Sequence, residues 1–306
     1  MSKRALTLVD AASSGAGEPG FATFSVGQAT RALDALRELI PSRPMVAHIF
    51  EGKQLVDAEG RVVPRDAMLS EASLVTLRLQ GTRAVAPASA EPPVVLYQDP
   101  FLLAVDKPQG ILVHGDGSTA RTLTACVQGY LLEQGVDAVP QALHRLDVDT
   151  SGIVLFSLAE ETQPAFDALI AGSGMSKRYY AVVRGRLPKA LGAWVEVDAP
   201  IARDRHDARR MRVGRSGKPA LTRFRPVSSR GGLTLVEAEL GSGRRHQIRV
   251  HLAHLGHPIV GDALYGGERC ESGLLLHAHE VCLEHPISNK QLVIESPLPG
   301  RFPQFR

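Results

Sequence analysis

The run HRLDVDTSG at 144–152 holds the most concentrated reactive chemistry in the chain. Asp147 lies there among His144, Arg145, Asp149, Thr150 and Ser151, and the apolar run IVLFSLA that follows reads as a buried strand. A carboxylate just ahead of a core strand sits on a rigid scaffold while its loop still admits substrate. Two carboxylates two residues apart suit Mg²⁺ binding, acid–base work or a nucleophile. An extended backbone points Asp147 and Asp149 to opposite sides, and no further acidic cluster lies nearby, which counts against the metal. A polar turn closed by local hydrogen bonds remains an alternative.

A second run, SGRRHQIRVHLAHLGHPIVGDALYG at 242–266, places His251, His254 and His257 three residues apart. That spacing raises a metal site. At about 100° per residue on a helix the first and third diverge, so structural or RNA-facing histidines are the reading adopted. Arg249 falls on the helix expected to begin near His246, and its planar fork is the natural partner of a buried carboxylate. In SKRYYAVVRG, strand alternation sends Tyr179 and Tyr180 to opposite faces, so one of them faces a pocket. Such a tyrosine can stack on a base, or simply fill the core.

The chain of 306 residues has room for one large domain or two ordinary ones. Its 44% hydrophobic and 22% charged residues are those of a soluble globular protein. No apolar run is long enough for a membrane span, and the N-terminus lacks the apolar core of a secretory signal. Cys126, Cys270 and Cys282 are odd in number and widely spaced, which argues against disulfides and zinc knuckles and points to the cytoplasm. Net charge is only +3, but residues 203–218 hold six arginines and a lysine, and residues 244–251 hold three arginines and two histidines. Patches of this kind attract polyanions; either one alone reads equally well as a solvated charged face, and two in one domain favour RNA or DNA.

TRAVAPASAEPP at 82–93 reads as a linker. The expected organisation is a small accessory domain over 1–82, a linker over 83–93 and a catalytic domain over 94–306. In the first part, RALTLVD, FATFSV, MVAHIF and SLVTLRL read as strands, and ATRALDALRELI as a helix with Leu33, Leu36, Leu39 and Ile40 on one face. The order suggests a β-grasp, and the second half resembles ubiquitin-like proteins, without a Gly-Gly tail at Gly81-Thr82. The alternative is a degenerate S-four-type RNA-binding domain, which would require two helices before its strands. In the second part strands outnumber helices without regular alternation, so the fold class is α+β with a mixed, largely antiparallel sheet. No Walker loop or dinucleotide fingerprint occurs.

Residues 94–306 resemble pseudouridine synthases of the RluA type. YQDPFLLAVDKPQGILVHGDG resembles the family's opening strand pair and loop. HRLDVDTSG resembles its signature, KRYYAVVRG its second motif, GSGRRHQIRVHLAHLGHPIVGDALYG its third, and LLLHAHEVCLEHP with SPLPGRF its closing segment. Ser242 stands where the third motif usually has Thr, and Arg245 where a smaller residue is common. The resemblance implies the pseudouridine synthase fold and an isomerase that converts uridine in structured RNA to pseudouridine without metal or other cofactor. It makes Asp147 the catalytic aspartate, Tyr179 the tyrosine stacked on uracil and Arg249 the partner of Asp147. Arg145 is expected to fill the space of an everted uridine or hold a phosphate, with Arg244, His246 and Gln247 as further RNA contacts. Expected partners are ribosomal or transfer RNA, with no membrane and no metal, and the chain is expected to be a monomer. Two other classes stay open: an RNA-binding protein without catalysis, and a metal-dependent hydrolase using the histidines.

Overall fold

The computed structural model describes residues 4–13, 20–80, 91–115, 121–172, 174–188 and 190–305. Most of the expected linker, the Gly81-Thr82 step and part of the GDG loop lie outside the described residues.

The first eighty residues contribute β1 (Leu6–Ala12), β2 (Gly20–Val26), β3 (Thr30–Arg31), α1 (Ala32–Leu39), α2 (Arg43–Glu51), β4 (Leu55–Asp57), β5 (Met68–Leu69) and β6 (Leu74–Leu79). The antiparallel sheet runs β1-β2-β6-β4. Helix α1 buries Ala32, Ala35, Leu36 and Leu39, close to the apolar face expected for it. MVAHIF, expected as a strand, lies instead in α2. Ser42 Oγ accepts the Met45 N–H at 3.4 Å, Pro44 occupies the first turn, and Val46 and Ile49 turn one helical face inward. A start signal of that kind outweighs the local run of apolar residues. Helices α1 and α2 thus follow one another, but β1, β2 and β3 precede them, whereas the S-four alternative places its two helices before its strands.

The remainder contains β7 (Val94–Gln98), β8 (Leu102–Lys107), α3 (Leu123–Glu133), β9 (Gln141–Ala142), β10 (Ser151–Ser157), α4 (Gln163–Ala171), β11 (Met175–Arg184), β12 (Val195–Asp198), β13 (Ile201–Arg203), β14 (Met211–Val213), β15 (Leu221–Arg230), β16 (Leu233–Leu240), α5 (Gln247–His254), β17 (Leu276–Glu284) and β18 (Gln291–Glu295). A ten-stranded sheet runs β12-β15-β16-β11-β17-β10-β8-β7, with β18 beside β17 and β9 beside β10. Its pairs are antiparallel except β10 with β17. The fold is α+β with a mixed, largely antiparallel sheet.

One face of the large sheet carries a core of Leu103, Val105, Val154, Phe156, Val183 and Val236. The other carries Leu102, Ala104, Leu155 and Val281, in one apolar cluster with Phe24, Leu36, Ile49 and Leu77 of the first part. Buried Glu161 joins the two parts, accepting from Gln54 Nε2 and from the Gln80 N–H, each at 2.8 Å. No helix among the described residues is long and apolar enough to cross a membrane.

Candidate active site

Asp147 stands on the loop between β9 and β10. Leu146 anchors the loop in the core, and the Thr150 N–H donates to Asp147 O at 3.0 Å, closing a turn. Residues 107–110 hold the loop from its other side. The Gly110 N–H and Lys107 Nζ both donate to Val148 O, at 2.8 and 3.1 Å, and Gln109 Nε2 donates to Asp149 O at 3.0 Å. Lys107 is fully buried, and its ammonium also donates to Pro108 O and Ile111 O. Burial pushes its pKa down to about 8, although the charges of Asp147 and Asp149 pull it upward. Gly152 then lets β10 pass β17 at close range. A Cβ there would lie 2.1 Å from Ala278 O, and its φ of 114° favours glycine.

Arg249 Nη1 lies 3.6 Å from Asp147 Oδ2, so the expected pair is in ion-pair reach. The expected bidentate grip goes elsewhere. Arg249 Nε and Nη2 each reach an oxygen of Asp262 at 2.7 Å, and the Asp262 side chain is 0% exposed. Asp147, at 20%, keeps access to solvent. A fully buried carboxylate leaves the guanidinium its strongest hydrogen bonds, and the remaining edge of the fork faces the loop. Burial opposes the charge on Arg249, and the Asp262 bonds overcome that and raise its pKa. Asp262 and Tyr265 were not among the expected site residues. Their signal was present: Asp262 is the one acidic residue between Glu239 and Glu268, in the motif that carries the buried arginine.

Tyr179 lies on β11 with its side chain buried and lining the cleft that holds Asp147, whereas Tyr180 stacks on His279 on the other face. Alternation thus sorts the two tyrosines as expected. A bulge between Arg178 and Tyr179 in the pairing with β17 re-aims the strand at this point. Burial, with the nearby Asp147 charge adding, pushes the Tyr179 hydroxyl well above its ordinary pKa. The ring is a neutral phenol at physiological pH.

The cleft has a volume of about 610 Å³, within the range of small-ligand pockets. Arg145, Lys177, Arg244 and Arg245 lie on its walls. Arg145 is exposed with no ion-pair partner among the described residues, and Arg244 Nε is tied to Pro219 O at 3.0 Å. Gln247, expected to touch RNA, is buried. Its amide donates to Leu221 O and Thr222 Oγ1 and accepts from Ser242 Oγ and the Arg244 N–H. In this structure it braces the loop that carries Arg244 and Arg245. His246, also expected at the RNA, turns inward with Nε2 3.8 Å from Asp147 Oδ1. The three spaced histidines do not converge. His251 is buried on Thr222 Oγ1 and Ala199 O, His254 is exposed, and His257 reaches Arg184 O.

The arrangement joins an accessible carboxylate, a fixed cation beside it, a neutral aromatic ring and a rim of arginines. A family profile described as RNA pseudouridylate synthase matches residues 102–254. An uncharacterised RNA pseudouridine synthase of Bacillus subtilis is 37% identical over 211 residues, covering 67% of this chain and 68% of that protein. The chain belongs to the RNA pseudouridine synthase family. A further family member, named ribosomal large subunit pseudouridine synthase D in Xanthomonas campestris, is 34% identical over 293 residues, 89% of this chain and 86% of that one. The structure of human RNA pseudouridylate synthase domain containing 4 matches with TM-score 0.55 at 25% identity, over 68% of this chain and 89% of that one. That of domain containing 1 matches with TM-score 0.57 at 24% identity, over 70% and 86%, which speaks to the fold. As a pseudouridine synthase the chain is an enzyme acting on RNA.

Proposed function

We propose that this pseudouridine synthase isomerises specific uridines of structured RNA, with Asp147 as the reacting carboxylate and no cofactor. The observation that carries the reading is Asp147 at the floor of the cleft, 3.6 Å from a guanidinium that is itself locked by Asp262. The reaction breaks the bond from uracil N1 to the sugar, turns the ring, and joins carbon 5 to the same sugar carbon. The proton on carbon 5 leaves and N1 ends protonated, so the atoms balance. Asp147 has two courses: attack on the sugar carbon, or removal of a sugar proton to give a glycal. In either, the Arg249 guanidinium, 3.6 Å from Asp147 Oδ2, orients the reacting carboxylate.

The uridine must leave its helical stack to reach Asp147. The Tyr179 ring supplies a stacking surface at the cleft wall, and Arg145, exposed and without an ion-pair partner among the described residues, would enter the vacated space or hold a phosphate. Exposed Arg203, Arg205, Arg209 and Arg215, on the segment that Arg245 of the cleft wall reaches at the Arg209 carbonyl, provide sequence-independent attraction for the RNA backbone. The relatives named for the ribosomal large subunit favour ribosomal RNA as the substrate, with transfer RNA as the second candidate. Residues 1–82 are read as an accessory domain that grips RNA. Its two helices carry Arg37 and Arg43 around a groove that Arg65 completes.

Pseudouridine mapping of total RNA, from cells with and without the protein, tests the reading. Loss of defined pseudouridines in one RNA class supports it. An unchanged map, together with RNA binding and no turnover in vitro, replaces it with the non-catalytic RNA-binding protein.

A further inference from the structure

His246 carries a ring whose Nε2 lies 3.8 Å from Asp147 Oδ1, and its backbone is left-handed, with φ 57°. That conformation is uncommon outside glycine and persists where the surroundings fix it. Here the fixing contact is Tyr265, whose hydroxyl oxygen lies 2.7 Å from His246 Nδ1. The same oxygen accepts the Met211 N–H of β14 at 2.8 Å.

A phenol has one proton to give. Because the Tyr265 oxygen is already an acceptor for Met211, its own proton points to the other partner, His246 Nδ1. A neutral imidazole that accepts at Nδ1 carries its proton at Nε2. Nε2 is the atom that faces Asp147 Oδ1. The charged groups around the ring are Asp147, Arg249, Arg245 and Asp262; burial is the largest influence, and it disfavours the imidazolium. The Tyr265 ring also bears the Arg249 guanidinium on its face, 5.1 Å from the centroid, with Arg210 at 5.5 Å.

We propose that Tyr265 is a positioning residue that sets the His246 tautomer, so that an N–H is aimed at the Asp147 carboxylate. Through Met211 it ties that N–H to the arginine-rich β13–β14 hairpin. The proposal deepens the reading of Asp147 given above and rests on it for its catalytic meaning. The Asp147 contact of 3.8 Å is long for a hydrogen bond, and such contacts tighten when substrate closes the site. The hairpin bears the exposed arginines suited to RNA phosphates. Seating RNA there is thus linked by one hydroxyl to the hydrogen that faces the reacting oxygen.

The test is nitrogen NMR of the full chain with labelled histidine, the His246 signals being identified by their loss in His246→Gln. The expected spectrum has protonated Nε2 and unprotonated Nδ1 at neutral pH. Protonated Nδ1 overturns the proposal, and since wild-type protein is used, the result does not depend on a variant folding. Tyr265→Phe gives the second readout. Removing one hydrogen-bond partner is expected to lower kcat about five- to tenfold with KM for RNA unchanged. Neutral His246 loses the donor that stabilised it, so its proton affinity rises and the acid limb of kcat moves to higher pH. An unmoved limb with unchanged kcat also overturns the proposal. The tautomer is read without turnover. An inactive wild type with the expected tautomer therefore defeats the functional reading alone, and an active wild type with protonated Nδ1 defeats the relay alone.

Discussion

Replacing Arg249 and Asp262 singly and then together separates what their pair does for the fold from what Arg249 does for Asp147. The Arg249 side chain is 6% exposed and that of Asp262 0%, with two contacts of 2.7 Å. Removing one member of such a buried pair costs about 3–5 kcal/mol, because the other charge is left stranded. Arg249→Met strands the Asp262 carboxylate and should fall in that range, lowering Tm by on the order of 10 °C. Asp262→Asn should cost less, since an amide oxygen still accepts one of the two bonds. The double variant Arg249→Met/Asp262→Leu removes both charges from an apolar setting and should recover stability to within about 1 kcal/mol of wild type. Turnover should not recover. Asp147 lacks its neighbouring cation in both Met variants, and loss of about a hundredfold or more in kcat is expected, the scale of a misplaced catalytic group. RNA affinity should change little, because a guanidinium this buried offers phosphates almost nothing. The assays are denaturant unfolding, RNA binding, and pseudouridine formation read by carbodiimide labelling. A double variant that turns over like wild type would refute the role of Arg249 beside Asp147. Equal losses in affinity and rate would refute its assignment away from phosphate.

Two more outcomes follow from the same site. Tyr179→Phe keeps the ring and loses the hydroxyl, whereas Tyr179→Leu loses both. If the ring stacks on the base, worth about 1–3 kcal/mol, only the Leu variant should weaken RNA binding, by tenfold or more in a filter assay. Equal binding by the two variants contradicts stacking. Lys107 has a folded pKa of about 8 against 10.5 unfolded. Between those values the unfolded chain holds the extra proton, so this group makes stability rise with pH across that window, by about 3 kcal/mol in all. Unfolding of wild type and Lys107→Met at pH values on either side of the window measures it. The variant should lack the rise, and identical slopes would contradict the burial of a charged lysine. The same variant should lower kcat, since three carbonyls around the catalytic loop lose the ammonium and Val148 O keeps only the Gly110 N–H.

The parts legible in the sequence share a physical basis. Tyr179 was separable from Tyr180 because strand alternation is a local rule. Helix α5 was legible from its expected start near His246, with Arg249 on it. The pairing of Asp147 with Arg249 came from the resemblance of their motifs to the family's, and a buried guanidinium does need an anion beside it. The sequence did not say which anion would take the stronger grip. Choosing Asp262 over Asp147 depends on the chain returning beneath α5, where Gly261 passes so close to Gly273 that a Cβ would lie 1.9 Å from its carbonyl oxygen. Lys107 was read as part of a strand and loop, although a lysine closing an apolar strand must find acceptors once buried. Gln247 was expected at the RNA as part of the motif that resembles the family's third, and only the fold shows both ends of its amide engaged. In the first part, α2 was read as a strand because MVAHIF was weighed without Ser42 and Pro44 ahead of it. The Glu161 contact joins residues more than eighty positions apart, which no local pattern encodes.

The most direct measurement uses RNA bearing tritium on uracil carbon 5, which is released to water when that carbon bonds to the sugar. Asp147→Asn preserves the shape of the side chain and removes the charge and the nucleophilic oxygen. Wild type should release the label and Asp147→Asn should fall by at least about a thousandfold while still binding the RNA. Release by both proteins at similar rates would contradict the central claim that the Asp147 carboxylate carries the reaction.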